Sequence, residues 1–235
     1  MRTGFTNAFP NKPLKKYYSY HGILMPCYIQ PDPEPFASYE IKPGGGPIVT
    51  KTFLDIIFVN REQNGLDYQE VHDSLAGAEY TRYVGQLRWD LGGGWSDFWI
   101  GRVFVGWNTS IIPDNATILS AKIIANIEGL KKDSPFSVTI RNGMPIYPHI
   151  PVVDSDYFFG NYSGDSGSTF VEVVGLYEID LNAEGLKKIN KTGQTKFALL
   201  SDRDILSLPP YAPESFEYCT FKIGCKLQVT YQEAA

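Results

Sequence analysis

The chain has 235 residues, 43% of them hydrophobic and 14% aromatic, with a formal charge of -5 and a pI near 5.3. This is enough apolar material for one sizeable core. It excludes a basic field of the kind that captures phosphate backbones or anionic lipid, so nucleic acid is not an expected partner. No stretch reaches the about 20 apolar residues that a membrane helix needs, and none near the N-terminus reads as a signal peptide. The expectation is a chain that starts in the cytosol and inserts in no membrane.

Residues 1–50 hold Pro10, Pro13, Pro26, Pro31, Pro33, Pro35, Pro43 and Pro47. "QPDPEPF" and "KPGGGP" suit neither helix nor central strand, because proline lacks the amide donor and restrains the residue before it. This segment reads as an arm or linker ahead of a domain at 51–235. Tyr17, Tyr18, Tyr20, Ile23, Leu24, Met25, Tyr28 and Ile29 make it too apolar for a solvated tail, so the arm is expected to pack on its own domain or on a neighbouring subunit.

"KTFLDIIFVN" is the first strong strand, rich in β-branched and aromatic residues and closed by the polar turn "REQNG". "RVFVGW" follows. In "TILSAKIIANI" Leu119, Ala121, Ile123, Ala125 and Ile127 fall on one face and Ser120, Lys122 and Asn126 on the other. "FSVTIR" turns Phe136, Val138 and Ile140 inward; "TKFALLS" is a further strand; "CKLQVTY" turns Leu227, Val229 and Tyr231 inward. One helix interrupts them in "DLNAEGLKKINKTG", with Asn182 as N-cap, Leu186 and Ile189 on one face and a stop at Gly193. Short alternating segments separated by Gly, Pro and Asn turns predict an all-β fold: an antiparallel, jelly-roll-like β-sandwich with one short helix and an extended N-terminal arm.

Three stretches, "GRVFVGWNTSIIPDNATILSAKI", "SVTIRNGMPIYPHIPVVDSDYFFGNYSGDSGS" and "INKTGQTKFALLSDRDI" with the closing "KLQVTY", resemble the disaggregatase-related, DNRLRE-type β-sandwich module, allied to carbohydrate-binding modules. The likeness runs from about Tyr68 to Tyr231. It is carried by Arg102, by the corner Ser110, Ile112, Pro113, Ala116 and Ile118, and by Lys226, Leu227, Val229, Thr230 and Tyr231 in the last strand. It departs at Asn108, where such modules often carry Asp, and in a short segment between Tyr218 and Lys226. The resemblance implies modules of surface adhesins, of polysaccharide-active assemblies and of viral or phage particles.

The residues offer little catalytic machinery. Cys27, Cys219 and Cys225 form no CxxC pair and read as reduced, buried thiols. His21, His72 and His149 are widely separated, and Ser166 in "GDSGS" lacks the contexts a serine hydrolase needs, so it reads as part of a flexible loop. Asp154, Asp156 and Asp165 share a long oxygen-rich loop and are the candidate ligands for calcium, the one cofactor considered. Asp202 and Asp204, with Asp180 or Glu217 in reach, suggest a glycosidase pair, but Arg203 between them points to a structural ion-pair network. Arg102, Pro113, Arg203 and Asp204 are therefore expected to be structural.

Trp89, Trp95, Trp99, Tyr157, Phe158, Phe159 and Tyr162 sit in Gly-rich or loop contexts, where exposed rings contact another subunit or stack on a glycan. The competing reading places Trp99 and Trp107 in the core. The expected function is a non-enzymatic virion structural or attachment protein, a capsid decoration, head fibre or tail-associated subunit assembled in the host cytoplasm. Its partners would be other virion proteins or copies of itself. The alternative is a carbohydrate-binding module of a cell-surface or secreted assembly.

Overall fold

The computed structural model describes residues 45–78, 82–212, 214–222 and 224–235, together with the backbone of two strands nearer the N-terminus. These are β1 (Lys15–Tyr20) and β2 (Ile23–Tyr28), an antiparallel pair in which Lys15 faces Tyr28 and Tyr20 faces Ile23. The chain divides into two compact units, Met1–Ser38 and Tyr39–Ala235. The proline-rich readings for residues 29–44, and those for the arm's side chains, lie outside the described residues.

The second unit is an all-β sandwich built from antiparallel pairs. Its strands are β3 (Ile48–Gly65), β4 (Tyr83–Gly92), β5 (Trp95–Asn108), β6 (Thr117–Lys132), β7 (Ser137–Asn142), β8 (Ser163–Phe170), β9 (Gly175–Asp180), β10 (Gln194–Ser201), β11 (Ser215–Phe221) and β12 (Lys226–Gln232). β3 serves two neighbours. Ile48 to Leu54 pair with β12, Asp55 to Gly65 pair with β5, and a register shift between Asp55 and Ile57 marks the change of partner. A bulge at such a switch lets one strand turn the corner between packed layers. β11 and β12 run one after the other along β6, and β4 pairs with both β11 and β5. β5 continues through β10 and β7 to β8, while β9 adds to β6.

The main core is filled by the residues that alternation points inward: Ala121, Ile123, Ala125 and Ile127 of β6, Val138 and Ile140 of β7, and Leu227, Val229 and Tyr231 of β12. Trp107 lies among them with its indole N–H donated to the Cys225 carbonyl at 3.1 Å. A second apolar cluster, with Phe104, Ala198, Leu200, Val152 and Tyr162, covers the other side of β5 and β10. These two strands are buried on both faces, which is why "RVFVGW" and "KFALLS" read as unbroken apolar runs rather than alternating ones.

The helix expected after Asp180 is a single turn, α2 (Ala183–Leu186), and Asn182 caps it by accepting from Glu184 N at 3.0 Å and Gly185 N at 2.9 Å. Gly185 weakens so short a helix, and the chain leaves it through i to i+3 bonds from Lys188 and Ile189. The structure adds two more short helices, α1 (Tyr68–His72), capped by Asp67, and α3 (Asp202–Ile205), capped by Ser201. At the corner, Asn108 Oδ1 accepts from Ser110 N at 3.2 Å and the Pro113 carbonyl accepts from Ala116 N at 2.9 Å. "GDSGS" is strand β8 rather than a flexible loop, and Ser166 is buried there with its carbonyl accepting from Asn182 N at 2.9 Å. Among the described residues no helix is long and apolar enough to cross a membrane.

Cys219 and Cys225 are free and buried. Burial pushes the Cys219 thiol up to about 12, and burial with the nearby Asp55 charge raises Cys225 as well. Since the thiolate is the reactive form, neither is expected to label with iodoacetamide at pH 8 in the native protein, whereas both label after denaturation. Peptide mass mapping reads this out, and fast native labelling of either peptide would contradict the buried, reduced assignment.

Candidate functional site

Four strands converge on a surface cleft of about 370 Å³ lined by Glu62, Tyr83, Leu87, Trp89, Trp99, Tyr218 and Thr220. Strand alternation builds it. Tyr83, Gly85, Leu87 and Trp89 share one side of β4. Register brings Tyr218 of β11 and Gly101 of β5 opposite Gly85, Trp99 opposite Leu87, and Thr220 opposite Tyr83. Glu62 of β3 stands opposite Gly101.

Two paired glycines let the walls approach closely. A Cβ at Gly101 would stand 2.4 Å from the Tyr83 ring, and one at Gly85, which has φ +128°, would stand 2.1 Å from the Glu217 carbonyl. Any larger residue at either position would collide with an aromatic ring or with backbone.

Glu62 and Tyr83 are only 5% and 4% exposed. The Tyr83 hydroxyl and the Glu62 carboxyl interact with each other, and neither Glu62 Oε2 nor Tyr83 Oη has another hydrogen-bond partner among the described residues. Burial pushes the Glu62 carboxyl up to about 7, against the opposing pull of the Tyr83 hydroxyl. Burial likewise raises Tyr83 well above its ordinary value, and the Glu62 charge adds to it. At the rim, Trp89 is 43% exposed and packs edge-on against Phe216 at 4.8 Å, while the Trp99 indole N–H donates to Asp97 Oδ2 at 2.7 Å. The cleft thus pairs aromatic residues with a protonatable carboxyl and three hydroxyl-bearing side chains.

A second cluster lies beneath α1 and α3. Arg102 is fully buried and grips Asp204 through Nε and Nη2, each at 2.8 Å. Its other donors reach the carbonyls of Tyr157 at 2.6 Å and His72 at 3.0 Å, and its plane lies 4.3 Å from the Tyr157 ring centre. His72 Nδ1 lies 2.6 Å from Asp73 Oδ1, and its Nε2 lies 3.3 Å from Ser207 Oγ. The order Ser207, His72, Asp73 imitates a nucleophile relay. Nε2 lies closer to the Asp204 carbonyl, at 3.0 Å, and the ring is 3% exposed and packs on Phe159 at 4.8 Å. The imidazole ties α1 to α3 rather than standing ready to take a proton from Ser207.

No family model matches this chain, and no curated protein does. A search of solved structures finds the K1 cleaved adhesin domain of Lys-gingipain from Porphyromonas gingivalis W83, 10% identical, covering 81% of this chain and 99% of that one with a TM-score of 0.26. A TM-score of that size establishes neither a shared fold nor a shared function.

The residues singled out in the sequence fall in three places. Asp154, Asp156 and Asp165 are not brought together. Asp154 pairs with Arg61 at 3.1 Å and Asp165 with Arg141 at 2.8 Å. Buried Asp156 accepts from the backbone N–H groups of His149 and Val153 and from His149 Nδ1 at 2.8 Å. Each carboxylate already has its own cation or donors, and among the described residues no group of three or more His, Cys, Asp or Glu side chains could hold a metal ion. The calcium expectation is corrected accordingly.

Tyr157 and Tyr162 are corrected as contact residues, because both are buried. Tyr157 donates its hydroxyl toward the Val71 and Ile100 carbonyls at 3.2 and 3.3 Å, and Tyr162 stacks on Phe104 at 5.5 Å. Phe158 is half-buried between two 3-10 turns, Asp154–Tyr157 and Phe159–Asn161. Trp89 and Trp95 are exposed, Trp95 by 64%. Trp99, read both as a contact ring and as a core residue, lines the cleft, whereas Trp107 is in the core. Arg203 pairs with Glu217, which also accepts from Gln86 Nε2 at 2.9 Å, and Asp202 accepts from Ser137 N at 2.9 Å.

Glu62, Tyr83, Leu87, Tyr218 and Thr220 escaped the sequence reading. The alternation Tyr83, Gly85, Leu87, Trp89 in "YVGQLRW" carries the signal for one wall of the cleft. Nothing local announces that Glu62 and Tyr218 stand beside it.

Proposed function

We propose that this chain is a non-enzymatic attachment domain whose contact surface is the cleft between Trp89 and Trp99. The supporting observation is that four aromatic residues, Tyr83, Trp89, Trp99 and Tyr218, line one surface cavity on the sheet, in addition to those that fill the core. Rings held this way give large contact area at small entropy cost, because the sheet fixes them before any partner arrives. The groups that resemble catalytic apparatus, His72 and Asp204, are committed to holding α1 and α3.

A virion subunit and a cell-surface module differ within this reading only in what the cleft meets, protein in the first and glycan in the second. Exposed Trp95, at the hairpin between β4 and β5, supports a further contact between copies in a particle.

Retention on beads tests the proposal, using cellulose, chitin, cell-wall sacculi and collagen-coated surfaces, with Trp89→Ala and Trp95→Ala as variants checked for native circular dichroism. Wild type is expected to be held by at least one surface, and Trp89→Ala to lose about tenfold or more, the scale of an aromatic hot spot. Retention that ignores Trp89→Ala, or no retention on any surface from a protein that also sediments as a monomer at high concentration, would overturn it.

A further inference from the structure

We infer that the turn between α2 and β10 is a second binding site, one for an organic phosphate, whose phosphoryl group is held by the ammonium groups of Lys188 and Lys191 and whose body rests on Met144 and Pro145. The inference does not use the cleft, so its failure would leave the attachment reading standing.

Three segments meet here around an open cavity of about 420 Å³: the β5–β6 corner at Asp114, the stretch after β7 at Met144 and Pro145, and the turn from Lys187 to Thr192. The turn is held in place by its own bonds. Asn190 N donates to Thr195 Oγ1 at 2.9 Å, the Asn190 carbonyl accepts from Thr109 Oγ1 at 2.6 Å, and Asn190 Oδ1 accepts from Thr192 N at 3.0 Å. Ile189 roots the turn in the main core, and Met144 Sδ accepts from Lys196 N at 3.3 Å on the opposite wall.

The three lysines of the turn differ in what holds them. Lys187 is paired with Glu184 at 2.6 Å. Lys191 Nζ donates to the carbonyls of Asp114 and Ala116, the latter at 2.9 Å. Carbonyls position an ammonium without neutralising it, and of its three donors one remains. Lys188 is half-buried and has neither a hydrogen bond nor an ion pair among the described residues; Glu184, within its electrostatic reach, is the carboxylate that Lys187 holds. In a chain of formal charge -5, two half-buried cations without a carboxylate partner thus line one cavity.

The lining sorts the ligand classes. A neutral molecule leaves both ammonium groups as they were. A carboxylate brings one charge and a planar pair of oxygens, which suits the fork of an arginine better than two separate ammonium groups. A phosphate monoester brings nearly two negative charges and oxygens for both lysines. Bare phosphate would leave the apolar wall of Met144, Pro145 and Ile189 uncovered, whereas the cavity volume lies within the lower range of small-molecule sites. Asp114 is exposed and lines the same cavity, so its carboxylate opposes any anion there.

Calorimetric titration at low salt tests this with phenyl phosphate, inorganic phosphate, benzoate and benzyl alcohol, which separate the dianion from the ring. Phenyl phosphate is expected to saturate with a Kd of about 1 mM or below, ahead of the other three, and to weaken as salt is added. Lys188→Met, which breaks no bond of the fold, should weaken it about fivefold, the worth of one charged hydrogen bond. Lys191→Met should do the same in protein whose circular dichroism stays native. Asp114→Asn has the opposite sign and should tighten binding about twofold. Adenosine monophosphate and glycerol 1-phosphate, run alongside, tell a nucleotide from a glycerophosphate source, and binding of either through Lys188 supports the inference.

No saturation with phenyl phosphate at low salt would overturn it. So would wild-type affinity in Lys188→Met, benzoate or benzyl alcohol binding as tightly as phenyl phosphate, or weaker binding in Asp114→Asn.

Discussion

Asp204→Ala is expected to lower the unfolding free energy by about 3–5 kcal/mol, the scale for leaving one member of a buried ion pair without its partner. For a chain of this length that corresponds to a drop of about 6–20 °C in Tm. The Arg102 guanidinium is fully buried, and although burial works against its charge, the Asp204 carboxylate outweighs that and keeps Arg102 above its ordinary value. Removing Asp204 therefore leaves a cation in the interior instead of a neutral side chain. The carbonyls of Tyr157 and His72 would still accept from it, but neither supplies a negative charge.

The loss should spread, because Arg102 on β5 joins α1, the turn at Tyr157 and α3 in one hydrogen-bonded knot. The double variant Arg102→Met with Asp204→Leu should recover part of the loss, since an apolar pair of similar volume needs no charge compensation. Thermal and urea unfolding measure both variants. A change below about 1 kcal/mol for Asp204→Ala, the range of exposed pairs, would remove Arg102 from its structural role.

Much of the sandwich was legible because side-chain alternation is a local signal. Ala121, Ile123, Ala125 and Ile127 needed only their own segment to be assigned inward, and Asn182 needed only the two amides after it to be assigned as a cap. Tyr157 and Tyr162 went the other way. A loop rich in Gly and Asp reads as solvated, but this one is drawn inward by Arg102 from β5 and by Asp156, which gathers the amides of His149 and Val153. Those partners are distant in sequence or lie in the irregular backbone itself, so no period announces them. α1 and α3 are too short to show helical spacing, and the change of partner along β3 at Asp55 depends on β12 and β5 together. The cleft was half legible: its β4 wall follows from alternation, whereas Glu62, Trp99 and Tyr218 join it only through strand register.

Stability should fall as pH rises from about 4.5 to about 7 through Glu62, and Glu62→Gln should abolish that part of the fall. In the folded protein burial holds the Glu62 proton up to about 7, from an ordinary value of 4.5. Between those values the native state binds more protons than the unfolded chain, so the slope of unfolding free energy against pH is negative there. The contribution is fully present below about 4.5, is lost through the window, and is constant above it. At about 1.36 kcal/mol per unit, the fall is on the order of 3 kcal/mol at most. Among the described residues, the titratable groups near Glu62 are phenols: Tyr83, with Tyr157 within electrostatic reach and Tyr218 lining the same cavity. Burial raises Tyr83 and Tyr157 above their ordinary values, so both stay neutral across the window and neither supplies the slope. Urea unfolding of wild type and Glu62→Gln at pH 5 and pH 8 isolates the effect, because every other acid is common to both proteins. Glu62→Gln should gain on wild type by about 1–3 kcal/mol between the two pH values. An unchanged difference would mean that the Glu62 carboxyl ionises in the folded protein without a burial penalty.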